Sequence, residues 1–360
     1  MHLAINATEI GRQRGGNESY LSGLLRGLAD AGIPDYTSVL MTETGIAQRP
    51  EPGSSRGQQV NIGRYHRLYF NLWQQTAVLR QIRPDWYLST FFLPPVVSCR
   101  TAVLVHDYSF RVHPEYFPPV TALYMRVLTA SAIQQADRVI ALSHFTREEI
   151  LRFHPDAEGK TRVVYPGIDQ SFSVQGDGRD MERLQRLGLA PGYILALGNI
   201  HPRKNHSRLL EAYVLLKKDR QVVPPMVWAG TPRWESSDLL DRARDAGVIL
   251  PGYIHAEDLP TLYRQATMLV YPSLYEGFGL PPVEAMACGT PSIVSNTTSL
   301  PEAVGGAALL IDPANVVTMA DAMARLLEDA ELHLKLRQAG LEHARRFVWA
   351  ETAQRLISVL

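Results

Sequence analysis

The sequence predicts an α/β protein with two domains, each built on a parallel β-sheet. Its 360 residues exceed what one compact core usually takes. Short apolar runs alternate with helical segments along the whole chain, which is the pattern of parallel strands joined by right-handed helical crossovers. A polar, glycine-containing linker at 172–179 separates two such series, so we place the domains at 1–172 and 173–348.

The composition excludes some classes of protein. A hydrophobic content of 46% and a charged content of 20% are those of an ordinary globular protein, so disorder is not expected. The 36 basic residues are balanced by 36 acidic ones, which argues against a partner made of nucleic acid. Cys99 and Cys288 lie in apolar surroundings, so we expect buried free thiols in a reducing compartment rather than a disulfide.

The sequence carries no signal for export or membrane insertion. The N-terminal residues lack the basic segment and apolar core of a signal peptide. No apolar run reaches the length of about 18 residues that a membrane-spanning helix needs. We therefore expect a cytoplasmic protein, for which peripheral contact with the inner membrane stays open.

The first domain begins with a strand, a glycine turn and a helix. Strands are expected at 2–6, 37–42, 86–89, 101–106, 138–142 and 162–165; helices at 17–32, 64–83 and 120–135; and a loop at 48–57. Gly15 and Gly16 form the first turn, which places backbone N–H groups at the carboxyl edge of the sheet, where open α/β sheets bind ligands. By itself a Gly-Gly turn is weak evidence for a ligand site, and a purely structural turn is the alternative.

The helix at 64–83 is basic and rich in aromatic residues. From Pro52 to Pro84 the chain has five arginines and no acidic residue. Such a helix can lie at an anionic membrane surface, with arginines near the lipid headgroups and aromatic rings at the interface. Alternatively, its apolar face packs on the sheet and its arginines are solvated.

His106 and Asp107 follow the strand at 101–106, again at the carboxyl edge of the sheet. His106 is either a core histidine or part of a ligand site, whereas Asp107 is expected to orient His106 or the loop backbone. Ser143 fits the N-cap of the helix after the next strand, where its side chain can accept a hydrogen bond from a backbone N–H group.

The second domain places two cations beside a helix start. Strands are expected at 193–197, 226–229, 248–250, 268–271, 292–295 and 309–311; helices at 180–187, up to 217, 257–266, 282–288 and 315–347. Arg203 and Lys204 come just before the helix that ends at 217. Cations usually avoid the positive end of the helix dipole, so a bound anion such as a diphosphate would explain them. A solvated basic pair is the alternative.

The segment 270–291 is the most informative part of the chain. It contains a buried strand, a loop with Gly277 and Gly279, and a helix that starts near two prolines, an arrangement that exposes N–H groups for an anion. Glu276 lies in the loop and Glu284 in the helix. Carboxylates beside an anion site suit a ligand with phosphates and hydroxyls, such as a nucleotide sugar. A structural turn with a solvated Glu276 and a helix-surface Glu284 is the alternative.

These segments resemble the retaining glycosyltransferases of family 4. The paired glutamates in 271–291 match the family signature, Lys204 and Asn205 match its basic motif, and 105–119 resembles bacterial members, many of them mannosyltransferases. The resemblance implies a GT-B fold, with two Rossmann-like parallel-sheet domains and a donor cleft between them. It also implies that a C-terminal helix at 349–360 packs back on the first domain.

The resemblance also implies roles for individual residues. Glu276 would contact the donor sugar, Glu284 the ribose, and His106 the sugar near its anomeric carbon. Backbone amides near the phosphates and sugar would come from Phe278, Gly279 and Leu280, and the first glycine turn, Gly15 and Gly16, would approach donor phosphate or acceptor. The family has arginine where this chain has Asn199, so Arg203, with Lys204, is expected to carry the charge of the leaving group. Asp107 and Ser143 would face the cleft.

The implied activity is retaining transfer of a hexose to a saccharide or lipid-linked acceptor in polysaccharide synthesis. The segment 105–119 favours mannose from GDP-mannose. A UDP-sugar donor, a nucleotide-sugar epimerase on the same fold and a non-catalytic nucleotide-sugar-binding protein stay open. The chain has no Asp-x-Asp motif, so no metal cofactor is expected, and Arg203 and Lys204 would stabilise the leaving diphosphate instead.

Overall fold

The computed structural model describes residues 1–11, 16–42, 45, 57–63, 69–218, 220–232 and 237–360, without the side chain of Leu72. The chain divides into two compact units. Unit 1 comprises Met1–Asp169 and Phe347–Leu360, and unit 2 comprises Gln170–Arg346. The change from unit 1 to unit 2 falls a few residues before the boundary that the sequence indicates.

Unit 1 contains a parallel sheet of seven strands within its described residues, in the order β3-β2-β1-β4-β5-β6-β7. The strands are β1 (His2–Asn6), β2 (Tyr36–Met41), β3 (Gly57–Asn61), β4 (Trp86–Thr90), β5 (Arg100–Val105), β6 (Arg138–Ala141) and β7 (Thr161–Val163). The strand order reverses between β1 and β4, and this switch point is where open parallel sheets bind ligands.

Five helices connect the strands of unit 1 within the described ranges. They are α1 (Gly16–Asp30), α2 (Gln75–Ile82, continuing a π-helical turn at Phe70–Gln74), α3 (Ser109–Val112), α4 (Pro119–Gln135) and α5 (His144–Phe153), with 3₁₀ turns at Pro114–Tyr116 and Pro155–Lys160. The expected helix at 64–83 is therefore seen from position 69 onward. Its first five residues, like Gly15, lie outside the described residues.

Unit 2 contains a parallel sheet of six strands within its described residues, in the order β10-β9-β8-β11-β12-β13. The strands are β8 (Tyr193–Leu197), β9 (Met226–Ala229), β10 (Ile249–Gly252), β11 (Ala266–Tyr271), β12 (Ser292–Ser295) and β13 (Leu309–Ile311). Its core packs around the fully buried indole of Trp228. The switch point lies between β8 and β11, which pair in parallel.

Eight helices surround the sheet of unit 2 within the described ranges. They are α6 (Asp180–Arg186), α7 (His206–Lys218), α8 (Ser237–Asp245), α9 (Leu259–Arg264), α10 (Leu280–Ala287), α11 (Leu300–Val304), α12 (Val316–Glu328) and α13 (Ala330–Ala344), with a 3₁₀ turn at Pro202–Lys204. The sequence predicts most of these elements to within a few residues, but it gives no bounds for α8 or α11.

The last helix, α14 (Trp349–Val359), belongs to unit 1. Trp349 lies on α1, where a Cβ atom at Gly23 would overlap its indole and a Cβ atom at Gly27 would overlap its backbone carbonyl. The guanidinium of Arg138 donates a hydrogen bond of 2.9 Å to the carbonyl of Val359. The two α1 glycines thus allow the backbones of α1 and α14 to approach closely.

The structure differs from the sequence-based expectations at three points. Strand β3 lies where a loop was expected to end, and its polar residues pair with β2 through backbone bonds at the sheet edge. The expected strand at 162–165 is shorter and begins at Thr161. Cys99 is only half-buried, although it is a free thiol like the buried Cys288.

None of the helices in the described ranges combines the length and apolar composition that a bilayer-spanning helix requires.

Candidate active site

A cluster of three charged residues lies at the carboxyl edge of the sheet in unit 2. Arg203 and Lys204 end the 3₁₀ turn after β8, and Glu276 follows β11, the strand that pairs with β8. Nη1 of Arg203 lies 2.9 Å from Oε2 of Glu276, and Nζ of Lys204 lies 2.6 Å from Oε1. The structure thus joins three predicted site residues at the switch point.

The backbone around the two cations is fixed by local hydrogen bonds. Nδ1 of His201 accepts from the N–H group of Arg203 at 3.1 Å and so caps the 3₁₀ turn. Asn205 ends the turn in the left-handed region, with φ of 61°. Its amide nitrogen donates to the carbonyls of Pro272, at 3.2 Å, and Pro313, at 2.7 Å. These bonds hold the turn against the segments that follow β11 and β13.

Tyr271 completes the cluster, although no pattern in the sequence indicates a site residue at this position. It is the last residue of β11, its hydroxyl donates to Oε1 of Glu276 at 3.1 Å, and it contacts Nζ of Lys204. The ammonium of Lys204 also lies 4.4 Å from the centre of the Tyr271 ring, within the range of a cation–π interaction. Tyr271 therefore contacts both charges of the ion pair.

The cations keep Glu276 ionised although the residue is buried. Burial favours the protonated acid, but the charges of Arg203 and Lys204 outweigh it and lower the pKa of Glu276 to about 2. Burial, together with the negative charge of Glu276, raises the pKa of Tyr271 well above its ordinary value. At neutral pH the cluster thus contains a carboxylate and a protonated phenol.

The glycine loop after Glu276 is held by the segment that follows β12. Ser299 donates from its hydroxyl to the carbonyls of Glu276, at 2.8 Å, and Phe278, at 3.0 Å. Gly279 has φ of 102°, and a Cβ atom there would crowd the side chain of Leu300, so this position requires glycine. Leu280 then begins α10, whose first turn contains the two prolines.

Ser299 could have been found from the sequence as a hydroxyl residue before Leu300–Val304, with Glu302 three positions later, which is the spacing of a capping box. The observed Ser299 backbone lies in the helical region and its side chain bonds to the loop instead.

Glu284 and Asn199 are placed by neighbouring side chains in unit 2. Glu284 is buried in α10, and its Oε2 accepts from the hydroxyl of Tyr263 at 2.7 Å. Burial first, and the charge of Glu284 next, raise the pKa of Tyr263 well above its ordinary value. Oδ1 of Asn199 accepts from the hydroxyl of Thr231 at 3.0 Å. Glu284 is therefore a buried residue rather than one on the helix surface.

His106 lies at the carboxyl end of β5 in unit 1 and is buried among aromatic rings. Its ring packs edge-on against Tyr20, with centroids 5.0 Å apart, and lies 5.6 Å from the ring of Phe91. Nε2 has no hydrogen-bond partner within the described part of the chain, and burial lowers the pKa of His106 to about 4. A neutral imidazole with an unused polar atom is suited to a hydrogen bond with a ligand.

The other expected residues of unit 1 have structural contacts. Oδ1 of Asp107 accepts from the backbone N–H and the hydroxyl of Ser109, so it orients the loop backbone rather than His106. The hydroxyl of Ser143 accepts from the N–H group of Thr146 at 3.0 Å, which is the expected N-cap. Gly16 is the first residue of α1.

No group of three or more metal-ligating side chains occurs in the part of the chain that the structure describes. The arrangement in unit 2 instead suits an anion held by cations and backbone amides.

Two Rossmann-like parallel-sheet units with these features define a glycosyltransferase of the GT-B fold. The family model described as Glycosyltransferase Family 4 matches residues 14–172, and the model described as Glycosyl transferases group 1 matches residues 183–343. The chain belongs to glycosyltransferase family 4.

Two curated relatives from Escherichia coli are mannosyltransferases. The O-antigen chain mannosyltransferase B is 34% identical over 290 residues, covering 79% of this chain and 76% of the relative. The serotype-specific mannosyltransferase WbdA is 31% identical over 270 residues, covering 71% of this chain but 33% of the relative. Among solved structures, sucrose-phosphate synthase from Thermosynechococcus elongatus matches with a TM-score of 0.75 and 20% identity, covering 100% of this chain and 98% of that chain.

Proposed function

We propose that this glycosyltransferase transfers mannose from GDP-mannose to a saccharide or lipid-linked acceptor, with retention of the anomeric configuration. The observation that carries the proposal is the Arg203–Lys204–Glu276 cluster at the switch point of unit 2. The mannosyltransferase relatives support mannose as the sugar. The polysaccharide context follows from the name of the O-antigen relative.

The charges of the cluster suit a departing nucleoside diphosphate. The bond between the anomeric carbon and the diphosphate oxygen breaks, and negative charge grows on that oxygen. Arg203 and Lys204 stabilise this charge, because Glu276 already holds both cations in place before the donor binds. In this mechanism they take the part that a metal ion plays in other transferases.

Retention follows from attack on the face that the diphosphate leaves. The acceptor hydroxyl forms the new bond to the anomeric carbon, and its proton passes to the departing diphosphate oxygen. Glu276 stabilises the positive charge that develops on the sugar, and neutral His106 accepts or donates a hydrogen bond through its unused Nε2. Glu284 binds the ribose, and the amides of Phe278, Gly279 and Leu280 contact the phosphates. The protein is proposed to act in the cytoplasm, where nucleotide sugars are available.

Thermal unfolding with GDP, UDP, ADP, dTDP and their sugars tests the donor, because a ligand that binds the native state raises the unfolding temperature. GDP or GDP-mannose is expected to give the largest shift, and Lys204→Ala is expected to reduce it. A larger shift with UDP-sugars would indicate a UDP-sugar donor instead, and no shift with any nucleotide would contradict the proposal.

Analysis of the product tests the reaction itself. Product formed without an acceptor would indicate an epimerase. With a saccharide acceptor, NMR of the product then reports whether the anomeric configuration is retained.

A further inference from the structure

Unit 1 exposes large apolar side chains on two helical segments, one that precedes β4 and one that follows β5, and these two strands are neighbours in the sheet. At the π-helical turn that leads into α2, Tyr69 and Trp73 are 56% and 69% exposed. On α4, Val120, Leu123 and Val127 are 82%, 59% and 57% exposed, at a spacing that places them on one side of the helix. Core packing does not explain the set on α4, because the buried residues of α4 lie on its opposite side.

Direct contacts connect the two helices. The amide of Asn71 donates to the hydroxyl of Tyr124 on α4 at 2.9 Å. The loop after β4 contacts both helices, since Phe92 packs against Tyr124 and the carbonyl of Val96 accepts from the hydroxyl of Thr76. Val96 is itself 56% exposed. The exposed residues Tyr69, Trp73, Val96, Val120, Leu123 and Val127 therefore belong to one region of unit 1, which we call the apolar rim.

The two sequence segments that contain α2 and α4 carry charges of one sign. No acidic residue occurs from Pro52 to Pro84 or from Tyr116 to Ala136, although acidic residues make up 36 of the 360 in the chain. Arg80, Arg83 and Arg126 are exposed on the same two segments. No ion pair engages any of these three arginines within the described residues.

We propose that the apolar rim docks on an anionic lipid bilayer. Tyrosine and tryptophan are suited to the boundary between headgroups and acyl chains, valine and leucine enter the acyl region, and arginines pair with anionic headgroups. A protein partner would usually pair such arginines with acidic residues at defined positions. An anionic bilayer instead attracts positive charges that are spread over two helices. This inference rests on the proposed function only in that a lipid-linked acceptor would be reached from such a surface.

Vesicle binding of the full chain, measured without donor or acceptor, tests the proposal. The protein is expected to co-sediment with phosphatidylcholine vesicles in which phosphatidylglycerol replaces about a third of the lipid, and much less with phosphatidylcholine alone. Added salt is expected to weaken the binding. Trp73→Ser and the pair Val120→Ser/Val127→Ser are each expected to lower the partition coefficient about fivefold or more. Arg80→Glu/Arg83→Glu is expected to lower it further on anionic vesicles.

The matched control is Val222→Ser, because Val222 is 87% exposed on unit 2 and lies outside the apolar rim. This variant should bind vesicles like the unmodified chain. Brominated lipids should quench tryptophan fluorescence in the unmodified chain and less in Trp73→Phe. Absence of vesicle binding, or an equal loss of vesicle binding in Val222→Ser, would overturn the proposal. It would also be overturned if the unmodified chain were a dimer and the rim variants were monomers, because the rim would then bind a second copy of the chain. Nucleotide-induced thermal shifts in the same variants report separately on the proposed function and should be unchanged.

Discussion

The ammonium of Lys204 lies 2.6 Å from a carboxylate oxygen of Glu276, although the two residues are 72 positions apart. One follows β8 and the other follows β11, and these strands pair at the switch point of unit 2. The fold therefore sets the contact, since both strand ends meet at the same edge of the sheet. A buried carboxylate that stays ionised only because of its two cations makes the cluster sensitive to the loss of any member.

Replacing either end of this ion pair is expected to impair catalysis. Lys204→Ala and Glu276→Ala should each lower kcat about tenfold or more. The first removes the cation that stabilises the leaving diphosphate, and the second removes the anion that stabilises the positive charge on the sugar. Circular dichroism should show that both variants are folded. Lys218→Ala, at an exposed position of α7, is the control and should retain full turnover. Unchanged rates in both folded variants would contradict the site.

Tyr271 provides a finer test of the same cluster. Tyr271→Phe keeps the ring beneath Lys204 but removes the hydroxyl that contacts Lys204 and Glu276, so kcat should fall. In a Lys204→Ala background the same change should have a smaller effect, because the hydroxyl acts through the ion pair. The matched control is Tyr193→Phe, which removes a buried hydroxyl bonded to the carbonyl of Leu262. It should cost about 1 kcal/mol of stability and leave kcat unchanged. An equal loss of kcat in both backgrounds would show that the Tyr271 hydroxyl acts independently of Lys204.

The sequence predicts charged site residues better than their neutral partners. The sequence indicates Arg203, Lys204 and Glu276 because a charged side chain next to an apolar strand and a glycine turn is unusual unless it binds something. Tyr271 ends an apolar strand, where tyrosine is a normal core residue, so no local pattern distinguishes it. Its role depends on the pairing of β8 with β11, which is a long-range property.

The fold shows the same division. Buried strands such as Tyr193–Leu197 are predicted to the residue, because both faces of a parallel sheet are apolar. The edge strand Gly57–Asn61 is missed, because it is polar and its backbone pairing with β2 is invisible in the side-chain pattern.

The packing of α14 on α1 predicts a strong effect of a small substitution. A methyl group at Gly23 would overlap the indole of Trp349, so Gly23→Ala should destabilise unit 1 by about 1–3 kcal/mol in chemical denaturation. Gly159→Ala is the matched control, since a Cβ atom there meets nothing within 4 Å. Combining Gly23→Ala with Trp349→Leu should recover part of the loss. Equal stability of the two alanine variants would show that α1 and α14 are not closely packed.

Buried His106 predicts a pH dependence of stability. Burial lowers its pKa from 6.5 to about 4, so between these values the unfolded chain binds more protons than the native one. The free energy of unfolding therefore rises with pH across this window, by at most about 1.4 kcal/mol per pH unit for one group. The stability that neutral His106 contributes is present above pH 6.5 and is lost as the pH falls below this value. His106→Phe should flatten this dependence for unit 1. His206→Phe, which removes a histidine whose pKa burial lowers to about 3, should do so for unit 2. An unchanged pH profile in His106→Phe would show that this histidine is not buried in its neutral form.

The hydrogen bond from Tyr263 to Glu284 predicts how the donor ribose is recognised. Tyr263→Phe removes the hydroxyl that donates to the Glu284 carboxylate at 2.7 Å, so the orientation of this carboxylate should loosen. Because Glu284 is proposed to bind the ribose hydroxyls and not the reacting carbon, KM for GDP-mannose should rise several-fold while kcat changes little.

Deoxyribose donors sharpen this test, because they lack a hydroxyl that Glu284 would bind. The unmodified enzyme should prefer the ribose donor, and Tyr263→Phe should reduce that preference by raising KM for the ribose donor more than for the deoxyribose donor. Tyr213→Phe, which removes the hydroxyl bonded to the carbonyl of Pro224, is the matched control and should keep the preference. If Tyr263→Phe lowers kcat but keeps the preference for the ribose donor, Glu284 lies at the reacting sugar instead. A group at the reacting centre changes turnover without changing recognition of the ribose.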